Sequence, residues 1–437
     1  MDRDPRDTIS ISPMSRLQVI VVAITIGLNA LDGFDVLSIS FASPGIAEEW
    51  GIDRAALGIV LSMELIGMAI GSILLGGVAD KIGRRPTILG CLMLMTLGML
   101  MVTTAGGLVD LSIWRIVTGL GIGGMLAAIN AVAAEFSNAR RRHLSVSLMS
   151  IGYPVGAVVG GTVAAQLLRG NDWRTVFYFG ASVTAVLIPI VYFVVPESVH
   201  WLARKQPVGA LEKINRALTR MGHTAATALP VISAEVRSRS VADIFAPGLV
   251  ATTAIVTLAY FFHITTFYFI VKWVPKIVVD LGFAASSAAG VLVWTNVGGA
   301  VGGAVFGILT QRYGVKALTI GVLMLSTIMV TLFGQTPADL QRLSLICAAA
   351  GFCTNAGIVG LYAIIAQAFP THVRAFGTGF TVGVGRGGSV LAPIIAGFLF
   401  AWGYSLGIVA FMMALGSLMA AGVLMLLKID TDRSAAS

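Results

Sequence analysis

The sequence predicts an all-α membrane protein with twelve transmembrane helices, arranged as two pseudo-symmetric halves of six helices each. The first observation is composition: 57% of the residues are hydrophobic and only 11% are charged, whereas a soluble domain carries about 25% charged residues. The second is a series of twelve long apolar runs, and the third is a loop motif that recurs between the halves. Together they indicate that lipid is the main solvent of this chain.

The apolar runs are long enough to be transmembrane helices, since a helix needs roughly 20 residues to cross the hydrocarbon. The first run is too long for the apolar core of a signal peptide, so we predict that it is a retained span. The twelve runs lie near residues 17–41, 56–78, 87–106, 109–135, 144–168, 174–195, 249–273, 286–310, 317–336, 341–367, 376–400 and 405–428.

A long polar stretch separates the sixth run from the seventh. It contains a predicted amphipathic helix over 210–220, in which Glu212 and Arg216 are spaced i,i+4 and can pair. We interpret the stretch as a cytoplasmic linker. The predicted organisation is an N-terminal tail over 1–15, a first half over 16–196, the linker over 197–247, a second half over 248–428 and a C-terminal tail over 429–437.

The Lys and Arg residues are distributed unevenly among the loops. If the N-terminus is inside, 21 of the 29 fall in cytoplasmic segments, so the positive-inside rule predicts that both termini are cytoplasmic. Topology thereby accounts for the net charge of +8, and we expect no binding to nucleic acid. The cations predicted to lie in external loops are Arg54, Arg169, Arg174, Lys272, Lys276 and Arg342.

A loop motif after the second span recurs after the eighth. Residues 76–85 read GGVADKIGRR and residues 307–316 read GILTQRYGVK, so that glycines and cations repeat at a constant offset of 231. The second half therefore copies the first in the same orientation. Parallel halves of this kind are a transporter architecture, with the solute site near the bilayer midplane.

The first copy of this motif resembles the best-known loop motif of the major facilitator superfamily, which implies the major facilitator fold. Its acidic residue can pair with cations at a neighbouring helix end and act as a latch during alternating access; alternatively, the loop only anchors the topology. The second copy has Gln311 at the acidic position. The predicted gating residues are Gly76, Asp80, Gly83, Arg84, Arg85 and Arg312.

Ionisable side chains inside spans are costly and are functional-site hypotheses by default. In the first span, Asn29, Asp32 and Asp35 are spaced i,i+3 and share one helix face, while Gly33 leaves room for close packing or a ligand. Two carboxylates one turn apart repel when both are ionised, which suits a proton carrier. The alternative is a pair neutralised by a fixed cation.

Three further charges lie in the second and fourth spans. Arg115 opens the fourth span beside a glycine-rich stretch, and we expect it either to pair with Asp32 or Asp35 or to snorkel to the membrane surface. Glu64 in the second span is a candidate for the proton path. Glu135, near the end of the fourth span, is expected to pair with Arg140 or Arg141.

Arg386 lies about ten residues into the eleventh span, within the glycine-rich segment 383–388. It is too deep to reach the membrane surface, and we expect the glycines to clear space beside it. A guanidinium in such a place suits bidentate capture of a carboxylate. An internal salt bridge is the alternative.

The seventh span is unusually aromatic over 260–268. Tyr260 and Phe267 offer rings that could stack against a planar ligand, although ordinary helix packing also explains them. The offset of 231 places His263 opposite Asp32 in the repeat. His263 therefore has two open interpretations, ligand contact and structural hydrogen bonding.

Two patterns narrow the resemblance. Asp32-Gly-Phe-Asp35 in the first span and Trp273-Val-Pro275 closing the seventh look like the aromatic acid:proton symporters, and Gly-Arg386-Gly is similar to that group as well. The resemblance implies proton-coupled uptake of benzoate-like, hydroxybenzoate or related acids by a monomer in a bacterial cytoplasmic membrane. It places proton coupling and substrate binding on Asp32, Asp35, Arg115 and Arg386.

Other functions are less consistent with the sequence. A drug:proton antiporter is suggested by Gly152-Tyr-Pro-Val-Gly156 in the fifth span, but a lipophilic cation fits poorly beside Arg386. Other organic acid or sugar symporters remain alternatives, whereas a sensor would be expected to carry a larger cytoplasmic extension. No nucleophile–base pair, metal cluster or phosphate loop appears in the sequence, so we expect no enzyme and no cofactor besides the coupling proton.

Overall fold

The computed structural model describes residues 4–230, 244–370 and 373–427. These residues form sixteen α-helices and no strand. The helices are α1 (Pro5–Ile11), α2 (Arg16–Trp50), α3 (Arg54–Ile82), α4 (Arg84–Val102), α5 (Leu108–Glu135), α6 (Arg142–Leu167), α7 (Arg174–Val194), α8 (Val199–Lys205), α9 (Ala210–Arg220), α10 (Val250–Asp280), α11 (Ala285–Leu309), α12 (Val315–Gln335), α13 (Leu340–Ala368), α14 (Arg374–Gly385), α15 (Gly387–Ala401) and α16 (Leu406–Met425).

Twelve membrane spans are present among the described residues, as the sequence predicts. They are α2 to α7, α10 to α13, α16, and a span formed by α14 and α15 together. The largest differences from the predicted bounds are at α2 and α10, which continue to Trp50 and Asp280 through internal prolines, Pro44 and Pro275. Proline is tolerated within membrane helices because neighbouring groups satisfy the backbone acceptor that it leaves free.

The chain divides into two compact units, each described by itself below. Unit 1 comprises Met1–Ala42 and Met63–Glu235, and unit 2 comprises Ser43–Ser62 and Val236–Ser437. The end of α2 and the beginning of α3 therefore belong to unit 2, although they precede most of unit 1 in sequence. The predicted C-terminal tail over 429–437 lies outside the described residues.

Glycines allow helix backbones to touch within unit 1. A Cβ atom at Gly33 on α2 would lie 2.0 Å from the backbone oxygen of Tyr153 on α6, and one at Gly156 would lie 1.7 Å from that of Ala30. Gly33 therefore serves close packing, one of its two predicted roles. Direct contact between helix backbones is typical of membrane helices, because helices surrounded by lipid gain little from burying apolar side chains against one another.

The polar stretch between the sixth and seventh spans contains two short helices, α8 and α9. Helix α9 begins and ends where the sequence predicts, and its Glu212 and Arg216 form the predicted ion pair at 2.8 Å. Ile214 and Leu218 are buried on its opposite face, so α9 is held by packing rather than by the exposed ion pair. Residues 231–243 of the predicted linker lie outside the described residues.

Candidate functional site

Helix α2 carries the predicted polar face into the interior of unit 1. Asp32 and Asp35 are fully buried, and Asn29 is 4% exposed. The side-chain amide of Asn29 donates a hydrogen bond of 2.7 Å to the backbone oxygen of Met149 on α6. This bond ties two helices together, which favours a structural role for Asn29 over the predicted contact with substrate.

Arg115 on α5 is fully buried and pairs with Glu64 on α3. It also donates a hydrogen bond of 3.2 Å to the backbone oxygen of Asp35, and its guanidinium lies 5.4 Å from the ring centre of Phe177. The predicted ion pair with Asp32 or Asp35 is thus replaced by one with Glu64. The alternative of snorkelling is wrong, because the side chain is 0% exposed.

Two glycines explain why the partner of Arg115 is Glu64. A Cβ atom at Gly119 on α5 would lie 2.1 Å from the backbone oxygen of Glu64, and one at Gly67 on α3 would lie 2.2 Å from that of Ile116. The two helices therefore touch one turn from Arg115. Close contact between α3 and α5 at these two glycines places Glu64 beside Arg115.

We call Asp32, Asp35, Glu64 and Arg115 the acidic cluster. It contains three carboxyl groups and one guanidinium, all fully buried. Within the described part of the chain, neither carboxylate oxygen of Asp35 has a hydrogen-bond partner. Burying an ionised carboxylate that accepts no hydrogen bond is costly in a low-dielectric interior, so Asp35 makes the cluster chemically suited to take up and release protons.

In unit 2, Arg386 lies where the eleventh span breaks between α14 and α15, with its side chain half-buried. The neighbouring glycines face α10: a Cβ atom at Gly385 would lie 2.2 Å from the ring of Tyr260, and one at Gly388 would lie 2.3 Å from the backbone oxygen of Phe261. The expectation that all these glycines leave open space is therefore wrong at these two positions. They allow an aromatic helix to pack directly beside Arg386.

The aromatic residues of α10 contact one another and neighbouring helices. Tyr260 is 3% exposed, and its hydroxyl shares a hydrogen bond of 3.1 Å with that of Tyr362 on α13. Phe267 meets Tyr268 edge to face, with 5.3 Å between ring centres. Of the two predicted aromatic contacts, Tyr260 is thus the one that packs against the segment carrying Arg386.

His263 is fully buried, and both ring nitrogens have partners within unit 2. Nε2 lies 2.8 Å from the backbone oxygen of Thr354, and Nδ1 lies 2.9 Å from the hydroxyl of Ser417. A carbonyl oxygen can only accept, so Nε2 carries a proton. This geometry favours structural hydrogen bonding, the second of the two interpretations that the sequence left open.

Lys272 was missed by the sequence analysis, which assigned it to an external loop. Its side chain is fully buried within α10. The misplacement follows from treating Pro275 as the end of the seventh span, whereas the helix continues to Asp280. An apolar run on both sides of Lys272 was the signal that could have placed it inside.

The first copy of the loop motif forms a network of polar contacts. Asp80 accepts hydrogen bonds of 2.8 Å from both Arg84 and Arg204 on α8, and its backbone oxygen accepts one of 3.0 Å from Trp201. Arg84 also pairs with Glu135 at 3.2 Å. The predicted pairing of Glu135 with Arg140 or Arg141 is therefore corrected.

Glu197 connects this network to the segment after the sixth span. Its carboxylate accepts a hydrogen bond of 2.9 Å from the backbone N–H of Arg84. Gly83 has φ +113°, and a Cβ atom there would lie 2.2 Å from a Glu197 oxygen, so only glycine fits. Burial raises the pKa of the Glu197 carboxyl, although backbone N–H groups of Ser198, Arg84 and Arg85 oppose this shift.

The remaining gating predictions have simpler surroundings. Arg85 donates to the backbone oxygen of Tyr192 and stacks over its ring, 4.9 Å from the ring centre. A Cβ atom at Gly76 would make ordinary contact with Ala127 at 3.5 Å. Arg312, in the second copy of the motif, is exposed in the turn after α11.

Comparison with known proteins shows what the chain resembles. A family model described as Major Facilitator Superfamily matches residues 25–297 and 254–437. The chain is 28% identical over 421 residues to a gallate transporter of Pseudomonas putida, covering 96% of this chain and 93% of the relative. A 3-(3-hydroxy-phenyl)propionate transporter of Escherichia coli strain K12 is 30% identical over 387 residues, with 87% of each chain covered.

A 4-hydroxybenzoate transporter of Pseudomonas putida is 27% identical over 401 residues, covering 89% of this chain and 87% of the relative. Among solved structures, a D-xylose-proton symporter superposes with a TM-score of 0.75 at 18% identity, covering 94% of this chain and 99% of the other. The solved structure confirms the predicted fold. The sequence relatives confirm the resemblance to aromatic acid transporters that the motifs predict.

Proposed function

Because the chain belongs to the major facilitator superfamily, we propose that it takes up an aromatic carboxylic acid together with protons. The observation that carries the proposal is Arg386, a guanidinium at a helix break against the aromatic face of α10. Such a group can bind a carboxylate through two parallel hydrogen bonds. The named substrates of the relatives, gallate, 4-hydroxybenzoate and 3-(3-hydroxyphenyl)propionate, are aromatic acids.

Proton coupling is assigned to the acidic cluster. Asp35 has no hydrogen-bond donor among the described residues to hold it ionised. A carboxyl group in that setting can exchange a proton without first breaking a salt bridge. Protonation of Asp35 or Asp32 from outside accompanies capture of the substrate by Arg386, and both are released inside.

The energetics favour symport of an anion with at least one proton. Import of one negative charge against an inside-negative potential costs about 2.3 kcal/mol per 100 mV. One accompanying proton cancels this cost and leaves the pH gradient as the driving force, and a second proton would add drive from the potential. The distribution of Lys and Arg supports an orientation with both termini inside, and a bacterial cytoplasmic membrane, the location proposed here, maintains such gradients.

The test is uptake by purified protein in liposomes with an imposed pH gradient, acidic outside. Radiolabelled benzoate, 4-hydroxybenzoate, gallate and 3-(3-hydroxyphenyl)propionate form the panel, and benzamide is the uncharged comparison. We expect at least one acid to accumulate, a protonophore to abolish the accumulation, and Arg386→Ala to reduce it to passive entry. Arg312→Ala, which removes an exposed cation from the second loop motif, is the matched control.

Two outcomes would overturn the proposal. The first is the absence of accumulation for every acid of the panel in protein that is correctly inserted. The second is proton-driven extrusion of a lipophilic cation, which would assign the chain to drug:proton antiport. In the structure, Gly152 and Gly156 of the antiporter-like segment pack directly against the backbone of α2.

A further inference from the structure

Two arginines meet at the end of the sixth span, which is the cytoplasmic end of α7 in the proposed orientation. The guanidinium of Arg85, at the start of α4, donates to the backbone oxygen of Tyr192. That of Arg220, at the end of α9, donates to the backbone oxygen of Phe193 at 3.0 Å. We call Arg85 and Arg220 the arginine pair. Its two members come from different helices and converge on neighbouring residues in the last turn of α7.

Capping of α7 explains only part of this arrangement. The last carbonyl groups of a helix have no partner within the helix, and Pro196 lacks the N–H that would otherwise reach the oxygen of Tyr192. The arginine pair supplies donors to these oxygens. A carbonyl oxygen is neutral, however, so both positive charges remain uncompensated by the groups that they cap.

The neighbouring carboxylates are engaged with other groups. Glu197 accepts hydrogen bonds from backbone N–H groups, among them those of Arg84 at 2.9 Å and Ser198 at 2.8 Å. Glu212 pairs with Arg216 on the exposed face of α9. In the part of the chain that the structure describes, neither member of the arginine pair forms an ion pair with a carboxylate. The end of α7 is therefore a place where an external anion is electrostatically favoured.

The aromatic residues beside the pair indicate its depth in the membrane. Tyr192 and Phe193 are both exposed, and their rings meet edge to face with 5.0 Å between ring centres. Exposed aromatic residues at the end of a span are typical of the membrane–water interface. The guanidinium of Arg85 lies 4.9 Å from the ring centre of Tyr192, so the arginine pair lies at the level of the lipid headgroups.

An apolar face of α7 leads from this level into the hydrocarbon. Val186, Ile190 and Phe193 are all exposed, and at 100° per residue they fall within about 60° of one another. A ligand that uses both features carries an anion at one end and a long apolar chain at the other. This description fits a phospholipid, whereas a soluble anion would use the arginines alone.

We propose that the arginine pair binds the phosphate of an anionic phospholipid such as phosphatidylglycerol, whose acyl chain lies along this face of α7. A guanidinium has five N–H donors and binds phosphate through two of them, so each arginine can hold a carbonyl oxygen and a phosphate together. Basic sites at the cytoplasmic ends of membrane helices suit acidic headgroups. A choline or ethanolamine headgroup brings its own cation, which the arginine pair repels. The bound lipid joins α4, α7 and α9, a role that goes beyond the proposed function.

The test is native mass spectrometry of delipidated protein in detergent, with an equal mixture of dioleoyl-phosphatidylglycerol and dioleoyl-phosphatidylcholine. We expect the first lipid bound by wild type to be phosphatidylglycerol with about tenfold preference, because a charge-assisted contact is gained. Arg220→Gln should remove most of this preference, and Arg220→Lys should keep part of it. Arg216→Gln is the matched control, since it removes an exposed cation from the same helix one turn earlier.

A second measurement separates lipid binding from the capping of α7. Arg220→Gln also loses hydrogen bonds to the oxygens of Phe193 and Val194, so its unfolding temperature in detergent alone is expected to fall. The informative quantity is the further rise that phosphatidylglycerol causes relative to phosphatidylcholine, because a ligand stabilises the folded state that binds it. We expect this rise in wild type and in Arg216→Gln, and a much smaller one in Arg220→Gln. Arg85→Gln, which removes the other arginine from a different helix, should reduce the rise in the same way.

Three results would contradict the inference. The first is equal binding of the two lipids by wild type. The second is an equal loss of preference in Arg216→Gln and Arg220→Gln, which would assign the effect to the general charge of the surface. The third is equal stabilisation by glycerophosphoglycerol, the same headgroup without acyl chains, which would make the arginine pair a site for a soluble phosphate. None of these measurements depends on transport, so the inference and the proposed function can fail separately.

Discussion

The interiors of the two units carry opposite charges. Unit 1 buries three carboxyl groups together with Arg115, whereas unit 2 buries Lys272 within the aromatic helix α10 and places Arg386 beside that helix. The halves repeat each other in helix order and in loop motif, so the duplicated feature is the scaffold and not the chemistry. In the proposed mechanism a proton neutralises a carboxylate in the first interior, and a substrate carboxylate neutralises a cation in the second. Neither interior then holds an uncompensated buried charge during transport.

The largest expected effect is in the acidic unit. Asp35→Asn keeps the size of the side chain but cannot release a proton, so proton-driven accumulation should fall to the level of passive entry. Exchange of labelled for unlabelled acid across the membrane at equal pH should continue, because it requires no net proton movement. Uptake and exchange are measured in the same liposomes.

Asp110→Asn is the matched control, since this carboxylate is exposed in the first turn of α5. Asp32→Asn tested in parallel shows whether the second carboxyl group shares the role. Full accumulation by both Asp32→Asn and Asp35→Asn would remove proton coupling from the cluster. The difference in charge between the two units would then have a structural role only.

The second effect concerns the stability of unit 1. Arg115 and Glu64 are both fully buried, and removing one partner of a buried ion pair costs about 3–5 kcal/mol, because the other charge is left uncompensated. Arg115→Met alone should therefore lower the thermal unfolding temperature in detergent strongly. The double variant with Glu64→Leu should recover at least half of that loss.

Equal unfolding temperatures for the single and double variants would show that Glu64 is not the partner that Arg115 needs. Arg216→Met serves as a control for the loss of an arginine, since Arg216 and its partner Glu212 are 71% and 76% exposed. A surface pair of that kind is worth about 0–1 kcal/mol. The comparison sharpens the contrast between a buried and an exposed guanidinium within one unit.

The twelve spans were predictable because apolar length is the main requirement for crossing a bilayer. The ends of α2 and α10 were not, because proline ends helices in water but is tolerated within membrane helices. Lys272 was misplaced for that reason alone. The error shows that the depth of a residue near a span boundary depends on tertiary context that hydropathy does not contain.

The residues of the candidate site likewise divide into those whose positions the sequence could predict and those whose positions it could not. The face shared by Asp32 and Asp35 follows from spacing along one helix, so the sequence was sufficient. The partner of Arg115 depends on which helix touches α5, and that is decided by the approach of Gly119 to Glu64. Likewise, both bonds of His263 reach residues more than 90 positions away, which no local pattern indicates.

The smallest expected effect separates the two copies of the loop motif. In the first copy, Asp80 joins Arg84 to Arg204 on α8, whereas Arg312 of the second copy is exposed. Arg204 and Asp80 are each more than half exposed, so their pair contributes at most about 1 kcal/mol. Arg204→Ala should therefore change the uptake rate by no more than about fivefold, and Arg312→Ala should leave it unchanged.

The measurement is the initial uptake rate at saturating substrate, where a change in gating affects kcat and leaves KM alone. Arg204→Lys, which keeps the charge, should restore most of the rate. Equal effects of Arg204→Ala and Arg312→Ala would mean that both copies act only as anchors of topology. An effect confined to the first copy would show that the ionic contact to the next helix is a property of the first half alone.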